Sequence, residues 1–279
     1  MDSNPVAFLP REASGLITSA GFLPTSFKID LIAELSTDTH TGGLGIGHTR
    51  WATHGVPDNK NAHPHSDNSG KFTLVHNGII ENYTELKENL IASGFKFQSE
   101  TDTEVIVNLI QKNFEETLDV KQTIIKTVSE LKGHYAFIAI FENGTLAAAR
   151  FHEPLIIGVG KNSYYISSDV LGFIERTDDA IYVDNENFVE INDDGLKIYN
   201  FDGALAKHQI TKVSKEFADV YKGDYAHFTL KEISEQPETI LRAGNDEQIN
   251  EIVSHISESK TLYITGSGTS YNASRISKY

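Results

Sequence analysis

Apolar positions change their spacing several times along the chain, and each change predicts a different element. Through residues 1–30 no period survives, because Pro5, Pro10 and Pro24 interrupt the run. The signal sharpens from Thr41. A glycine-rich stretch, Thr41–Gly47, predicts a strand end that opens into a loop over 48–55. Lys71–His76 reads as a short strand and Glu81–Ser93 as a helix closed by Gly94. Thr101 and Glu104 form a capping box ahead of Val105, Ile106, Leu109, Ile110 and Phe114, whose spacing near 3.6 predicts a helix with one apolar side. A second helix is expected over Val120–Leu131, ending at Gly133. The period then drops toward two. Tyr135–Phe141 and Thr145–Phe151 flank Asn143-Gly144, a hairpin signal that predicts a type I′ turn. Shorter strands are expected near Leu155–Val159, Tyr164–Ser167, Ala180–Val183, Phe188–Ile191 and Leu196–Phe201. Helices set amid many strands predict a layered α+β fold rather than alternating βαβ units.

The pattern shifts again after Thr211. Lys212–Phe228 reads as a connector, Thr229–Arg242 as a helix interrupted at Pro237, and Asn245–Glu258 as a helix striped by Ile249, Ile252, Val253 and Ile256. Leu262–Thr265 reads as a short strand, and Gly266–Ser270 as a glycine loop entering a helix. One strand cannot bury both its faces, so this unit needs a larger sheet. The expected division is therefore 1–228 for the first domain and 229–279 for a linker with a first βα unit.

The chain has 279 residues, of which 39% are hydrophobic and 23% charged, an ordinary balance for a globular protein with a sizeable core. Its net charge of −15 argues against nucleic acid or an anionic membrane as partner, since either needs a basic footprint. There is no apolar run of spanning length and no basic-then-apolar leader, so the cytoplasm is the expected location. The absence of cysteine excludes disulfides, thiolate metal sites and a cysteine nucleophile within these residues.

Three segments carry candidate chemistry: His48-Thr49-Arg50-Trp51-Ala52-Thr53-His54-Gly55, Val75-His76-Asn77-Gly78 and Ser99-Glu100-Thr101-Asp102-Thr103-Glu104. Taken singly they have plain readings. Arg50 and Asp102 suit a structural ion pair, Asn77-Gly78 an ordinary turn, and Trp51 a core aromatic. His48, His54, His63, His65 and His76 suggest a metal, but no helical HExxH pattern accompanies them, and neither a metal nor any other cofactor is expected.

In order along the chain, these segments resemble the class II glutamine amidotransferases. Asn61–His65, Tyr164–Asp169, Leu230–Pro237 and Gly268–Asn272 extend the resemblance, over roughly 41–279, to glutamine–fructose-6-phosphate amidotransferases. It implies an N-terminal-nucleophile αββα sandwich followed by the start of an α/β sugar isomerase. It implies that Arg50, a planar cation, and the Thr53 hydroxyl hold the carboxylate of glutamine, and that Asp102 takes its ammonium group. Asn77 and the Gly78 N–H would form the oxyanion hole. Trp51 would gate ammonia, and Thr269 and Ser270 would contact sugar phosphate. Glutamine is the implied partner, with fructose 6-phosphate only if an isomerase domain is supplied; the oligomeric state is left open.

The resemblance also implies a cysteine-first chain, whereas this one begins Met1-Asp2. The first core strand and helix are therefore expected to be missing or replaced, leaving one sheet short of a central member. The isomerase residues that act on the sugar are expected beyond Tyr279. Three readings follow: the glutaminase portion of a synthase making glucosamine 6-phosphate and glutamate, unable to hydrolyse glutamine by itself; a glutamine-binding regulatory module without turnover; or a truncated gene product.

Overall fold

The computed structural model describes the chain except for residues 1–4, 11–15, 19–43, 49–53, 57, 214–224, 226–227, 245–246, 265–267 and 277–279. It divides into two units, Met1–Asp219 and Val220–Tyr279.

The first unit opens with strands β1 (Pro5–Pro10), β2 (Leu16–Thr18) and β3 (Leu44–His48), followed by β4 (His65–Ser66) and β5 (Phe72–Ile80). Three helices follow, α1 (Tyr83–Ala92), α2 (Thr103–Thr117) and α3 (Val120–Glu130). Strands complete the unit: β6 (Gly133–Phe141), β7 (Leu146–Phe151), β8 (Ile156–Val159), β9 (Ser163–Ser167), β10 (Asp179–Tyr182), β11 (Asn187–Asn192), β12 (Gly195–Asn200) and β13 (Thr211–Lys212). They form two sheets. One has six strands in the order β12-β11-β7-β6-β5-β4, and the other seven in the order β13-β10-β8-β9-β1-β3-β2.

The six-stranded sheet is covered on both faces, which explains the unbroken apolar runs of β6 and β7. Tyr135, Phe137, Ala139 and Phe141 of β6 join Val105, Ile106, Leu109 and Ile110 of α2 in the core beneath the helices. Their neighbours Ala136, Ile138 and Ile140 face the other way, into a second core with Ile46, Ile157, Ile166 and Val189. Successive side chains of a strand point to opposite faces, so each core receives every second residue. Burial of each large side chain contributes about 1.5–3 kcal/mol. Helix α3 is placed by Asp119, whose carboxylate accepts a hydrogen bond from the Gln122 N–H at 2.8 Å.

Several expectations need correction. The seven-stranded sheet does not lack a central member: β1 lies between β3 and β9, antiparallel to both. Pro5 and Pro10 stand at the two ends of that strand, where a missing N–H disturbs the ladder least. The β6–β7 turn is not type I′, because Gly144 has φ 81° whereas Asn143 is not among the positive-φ residues. The Gly144 N–H bonds the Phe141 carbonyl and the Phe141 N–H bonds the Thr145 carbonyl, each at 2.9 Å, so a three-residue loop with a left-handed glycine closes the hairpin. Half of the capping box forms: the Glu104 N–H donates to Thr101 Oγ1 at 3.4 Å, but helix α2 starts at Thr103 and the Glu104 carboxylate accepts from the N–H groups of Gln98 and Ser99 instead of that of Thr101.

The second unit contains α4 (Phe228–Gly244), α5 (Glu247–Glu258) and α6 (Gly268–Ile276). Pro237 lies inside α4 without interrupting it. The carbonyl it leaves unbonded belongs to Ile233, on an exposed stretch where water can satisfy it. Residues 261–264 form no strand, since strand geometry needs a neighbour to bond and none is present among the described residues. Ile233, Ile240, Leu241, Ile252, Val253 and Tyr263 are exposed. No described helix is long and apolar enough to cross a membrane.

Two backbone positions with positive φ predict opposite responses. Leu118 closes α2 at φ 52° with its side chain 77% exposed, so Leu118→Gly removes strain and little contact. It is expected to raise the free energy of unfolding by about 0.5–1 kcal/mol in urea titrations. Gly78, at φ 118°, has no room for a Cβ, which would lie 2.0 Å from the His134 carbonyl oxygen. Gly78→Ala is expected to lower stability by about 3 kcal/mol or more in the same titration.

Candidate glutamine site

The site grows from a pinch between β5 and β6. In their antiparallel register Asn77 opposes Ala136, Gly78 opposes Tyr135 and Ile80 opposes Gly133. Gly78 admits the His134 carbonyl, and Gly133, at φ 127°, admits that of Ile79; a Cβ on Gly133 would lie 2.1 Å from that oxygen. Two glycines thus let the strands close where side chains would hold them apart.

Two residues past Gly78, the Ile80 N–H donates to Asp102 Oδ2 at 2.9 Å. Asp102 is buried at the start of α2, where the helix dipole favours an anion. Its other carboxylate oxygen lies 3.8 Å from His54 Nδ1, and the His54 ring sits edge-on to Tyr83 at 4.7 Å. His54 of the first motif, β5 of the second and Asp102 of the third therefore converge. Asn77 Nδ2 donates to Glu153 Oε2 at 3.3 Å, a partner contributed by the loop after β7.

Polar groups beneath this surface hold it in place. Asn61 is fully buried and ties Val56, just past the first motif, to the third: Nδ2 donates to the Val56 carbonyl and to Glu100 Oε2, and Oδ1 accepts from the Glu100 N–H. Thr101 Oγ1 lies 3.0 Å from His65 Nε2. Thr103 Oγ1 lies 3.0 Å from both His63 Nε2 and His76 Nδ1. A hydroxyl has one proton, so this His–Thr–His chain must run in one direction. His76 Nε2 is buried and finds no partner among the described residues. Burial pushes the His76 pKa down; Asp102 opposes that shift and His54 adds to it. On the other side, burial lowers the pKa of the Arg150 guanidinium, with Asp184 and Glu153 offsetting part of the effect.

Of the residues singled out in the sequence, Asn77, Gly78 and Asp102 occupy this region. Arg50, Trp51 and Thr53 lie outside the described residues. Thr269 and Ser270 fall in the first turn of α6, in the second unit. The sequence reading missed Asn61, Thr103 and Glu153 as partners of these groups. Asn61 and His63 stood in a quoted motif and could have been noticed; Glu153, 76 residues from Asn77, carried no local signal. Among the described residues, no group of three or more histidine and acidic side chains is arranged to hold a metal ion.

The depressed His76 pKa fixes the sign of a pH effect. Between the folded value and the ordinary 6.5 the unfolded chain binds the extra proton, so this contribution is complete above pH 6.5 and is lost as pH falls below it. His76→Gln is expected to flatten the pH dependence of unfolding free energy below about pH 6.5, measured by denaturant titration at several pH values.

The family described as a glutamine amidotransferase domain matches residues 48–174. The glutamine–fructose-6-phosphate aminotransferase (isomerizing) of Methanothermobacter thermautotrophicus is 40% identical over 258 residues, covering 91% of this chain and 44% of the relative. Its counterpart from Aquifex aeolicus is 40% identical over 254 residues, covering 90% and 43%. The chain thus spans less than half the length of these curated relatives. Among solved structures, the glutamine phosphoribosylpyrophosphate amidotransferase of B. subtilis superposes with a TM-score of 0.56 at 29% identity, over 72% of this chain and 43% of that one. The α+β fold with two antiparallel-rich sheets is that of N-terminal-nucleophile class II amidotransferases; residues 48–174 match a glutamine amidotransferase domain, and over most of its length the chain resembles the glutaminase portion of glutamine–fructose-6-phosphate aminotransferases.

Proposed function

We propose that the first unit binds glutamine as the glutaminase portion of a glutamine–fructose-6-phosphate aminotransferase. The observation that carries this reading is the meeting of Asp102, His54 and the Asn77-Gly78 strand through the Asp102–Ile80 hydrogen bond. In this reading Asp102 accepts the α-ammonium group of glutamine, a charge-assisted contact in a buried setting. Arg50, with Thr53, binds the α-carboxylate through its planar fork. The Asn77 amide and the Gly78 N–H face the side-chain carbonyl, where negative charge develops if the amide is attacked. Trp51 guards the passage of ammonia, and Thr269 and Ser270 belong to a sugar-phosphate loop in residues 229–279. Fructose 6-phosphate would be the acceptor of nitrogen once an isomerase domain is supplied, and the cytoplasm is the compartment we assign.

These 279 residues contain no cysteine, so binding, rather than thiol-dependent hydrolysis, is the activity assigned to them. The same fact favours a second reading, a glutamine-binding module without turnover. A binding measurement tests the glutamine site common to both. Calorimetry with L-glutamine is expected to give saturable binding, and Arg50→Ala and Asp102→Asn are each expected to weaken it about tenfold or more, the worth of a charge-assisted contact. Circular dichroism on each variant establishes folding; a folded wild type that binds no glutamine would remove the proposal.

A further inference from the structure

The Asn77 amide already holds an anionic oxygen. We propose that Glu153 is a tethered competitor for the Asn77 donor, a built-in carboxylate that glutamine must displace and that disfavours glutamate. The inference rests on the reading of Asn77 as a donor to bound glutamine.

The loop carrying Glu153 is fixed to the same strand pair that forms the pinch. His152 adopts φ 68°, a left-handed conformation that a non-glycine residue keeps only when its surroundings hold it there. Those surroundings are visible. The His152 N–H donates to Asn185 Oδ1 at 2.6 Å, its ring lies 4.7 Å from that of His134 and 4.3 Å from that of Phe151, and its backbone bridges to Tyr135. His134 and Tyr135 are the residues opposite Ile79 and Gly78. The turn thus delivers the half-buried Glu153 side chain onto Asn77, with Oε2 3.3 Å from Nδ2. Arg150, two residues before the turn, bonds the Val183 and His152 carbonyls and interacts electrostatically with Glu153.

An ionised carboxylate only accepts hydrogen bonds, so it can occupy the place that an amide carbonyl oxygen would take at Asn77. Apparent affinity falls by the fraction of molecules in which the donor is engaged. A neutral amide pays that cost alone. The γ-carboxylate of glutamate also meets the charge of Glu153 at close range, so the competitor acts as a selector of amide over acid.

The test is calorimetry of the full chain with L-glutamine and L-glutamate, on wild type, Glu153→Gln, Glu153→Ala and Asp102→Asn. Glu153→Ala is expected to tighten glutamate binding about tenfold and glutamine binding about threefold. Glu153→Gln keeps an acceptor without the charge, and is expected to tighten glutamate selectively. A second readout is independent of ligand: the side-chain amide resonance of Asn77, assigned by its loss in Asn77→Ala, is expected to shift in both Glu153 variants. Unchanged or weaker glutamate binding in both Glu153 variants, or an unmoved Asn77 amide, would overturn the proposal. If wild type binds and Asp102→Asn binds as well, the assignment of the ammonium site fails while the Glu153 comparison still decides this inference. No binding by any of the four proteins would overturn both.

Discussion

The close approach of β5 and β6 at Gly78 and Gly133 is the constraint on which the rest of the first unit depends. Strand β6 is buried on both faces, so its register sends Phe137 and Phe141 to the helices and Ile138 and Ile140 to the opposing sheet. A slip by one residue would exchange the two sets and spoil both cores at once. The glycines fix that register at the end of the pair by allowing a carbonyl where no Cβ fits. Fixing the register also fixes Asn77, Ile80 and the Asp102 carboxylate bonded to Ile80, so packing and site geometry share a cause.

Beneath the site, burial of polar groups demands an answer for each hydrogen bond, because an unsatisfied buried donor costs about 1–3 kcal/mol. Asn61, Thr101, Thr103 and Glu104 answer that demand across segments far apart in sequence. The histidines read most naturally in these terms. His63, His65 and His76 accept or donate to threonine hydroxyls, and rings of His48 and His63 lie 4.3 Å apart, so they form a shared polar floor that joins the end of β3, β4, β5 and the start of α2. Their clustering in sequence reflects that shared floor.

Periodic elements were legible from the chain because one face of each is buried. The stripe from Val105 to Phe114 located α2, and Asn143-Gly144 located the β6–β7 turn. The type of that turn was not legible, since Asn-Gly also fits a loop in which glycine alone takes positive φ. Strand β1 was hidden because six residues bounded by prolines show no period; its place comes from β3 and β9 on either side. In the site, Asn77, Gly78 and Asp102 were legible through short motifs. Glu153 was not, because its role depends on a left-handed His152 and on a contact spanning 76 positions, neither of which has a local pattern.

Charge sharpens what the site suits. The protein carries a net charge of −15, and Asp102 and Glu153 place two carboxylates around the Asn77-Gly78 segment. A ligand carrying only negative charge would meet repulsion from both. In the proposed reading, a zwitterion with an ammonium group and a neutral side-chain amide would pair the first with Asp102 and ask of Asn77 only a neutral hydrogen bond. Glutamine has that distribution of charge; glutamate differs from it at the one group that would face Glu153. On this reasoning the acidic character of the site, which alone would argue against an amino-acid carboxylate, becomes selective once a single cation such as Arg50 is supplied at the far end of the ligand.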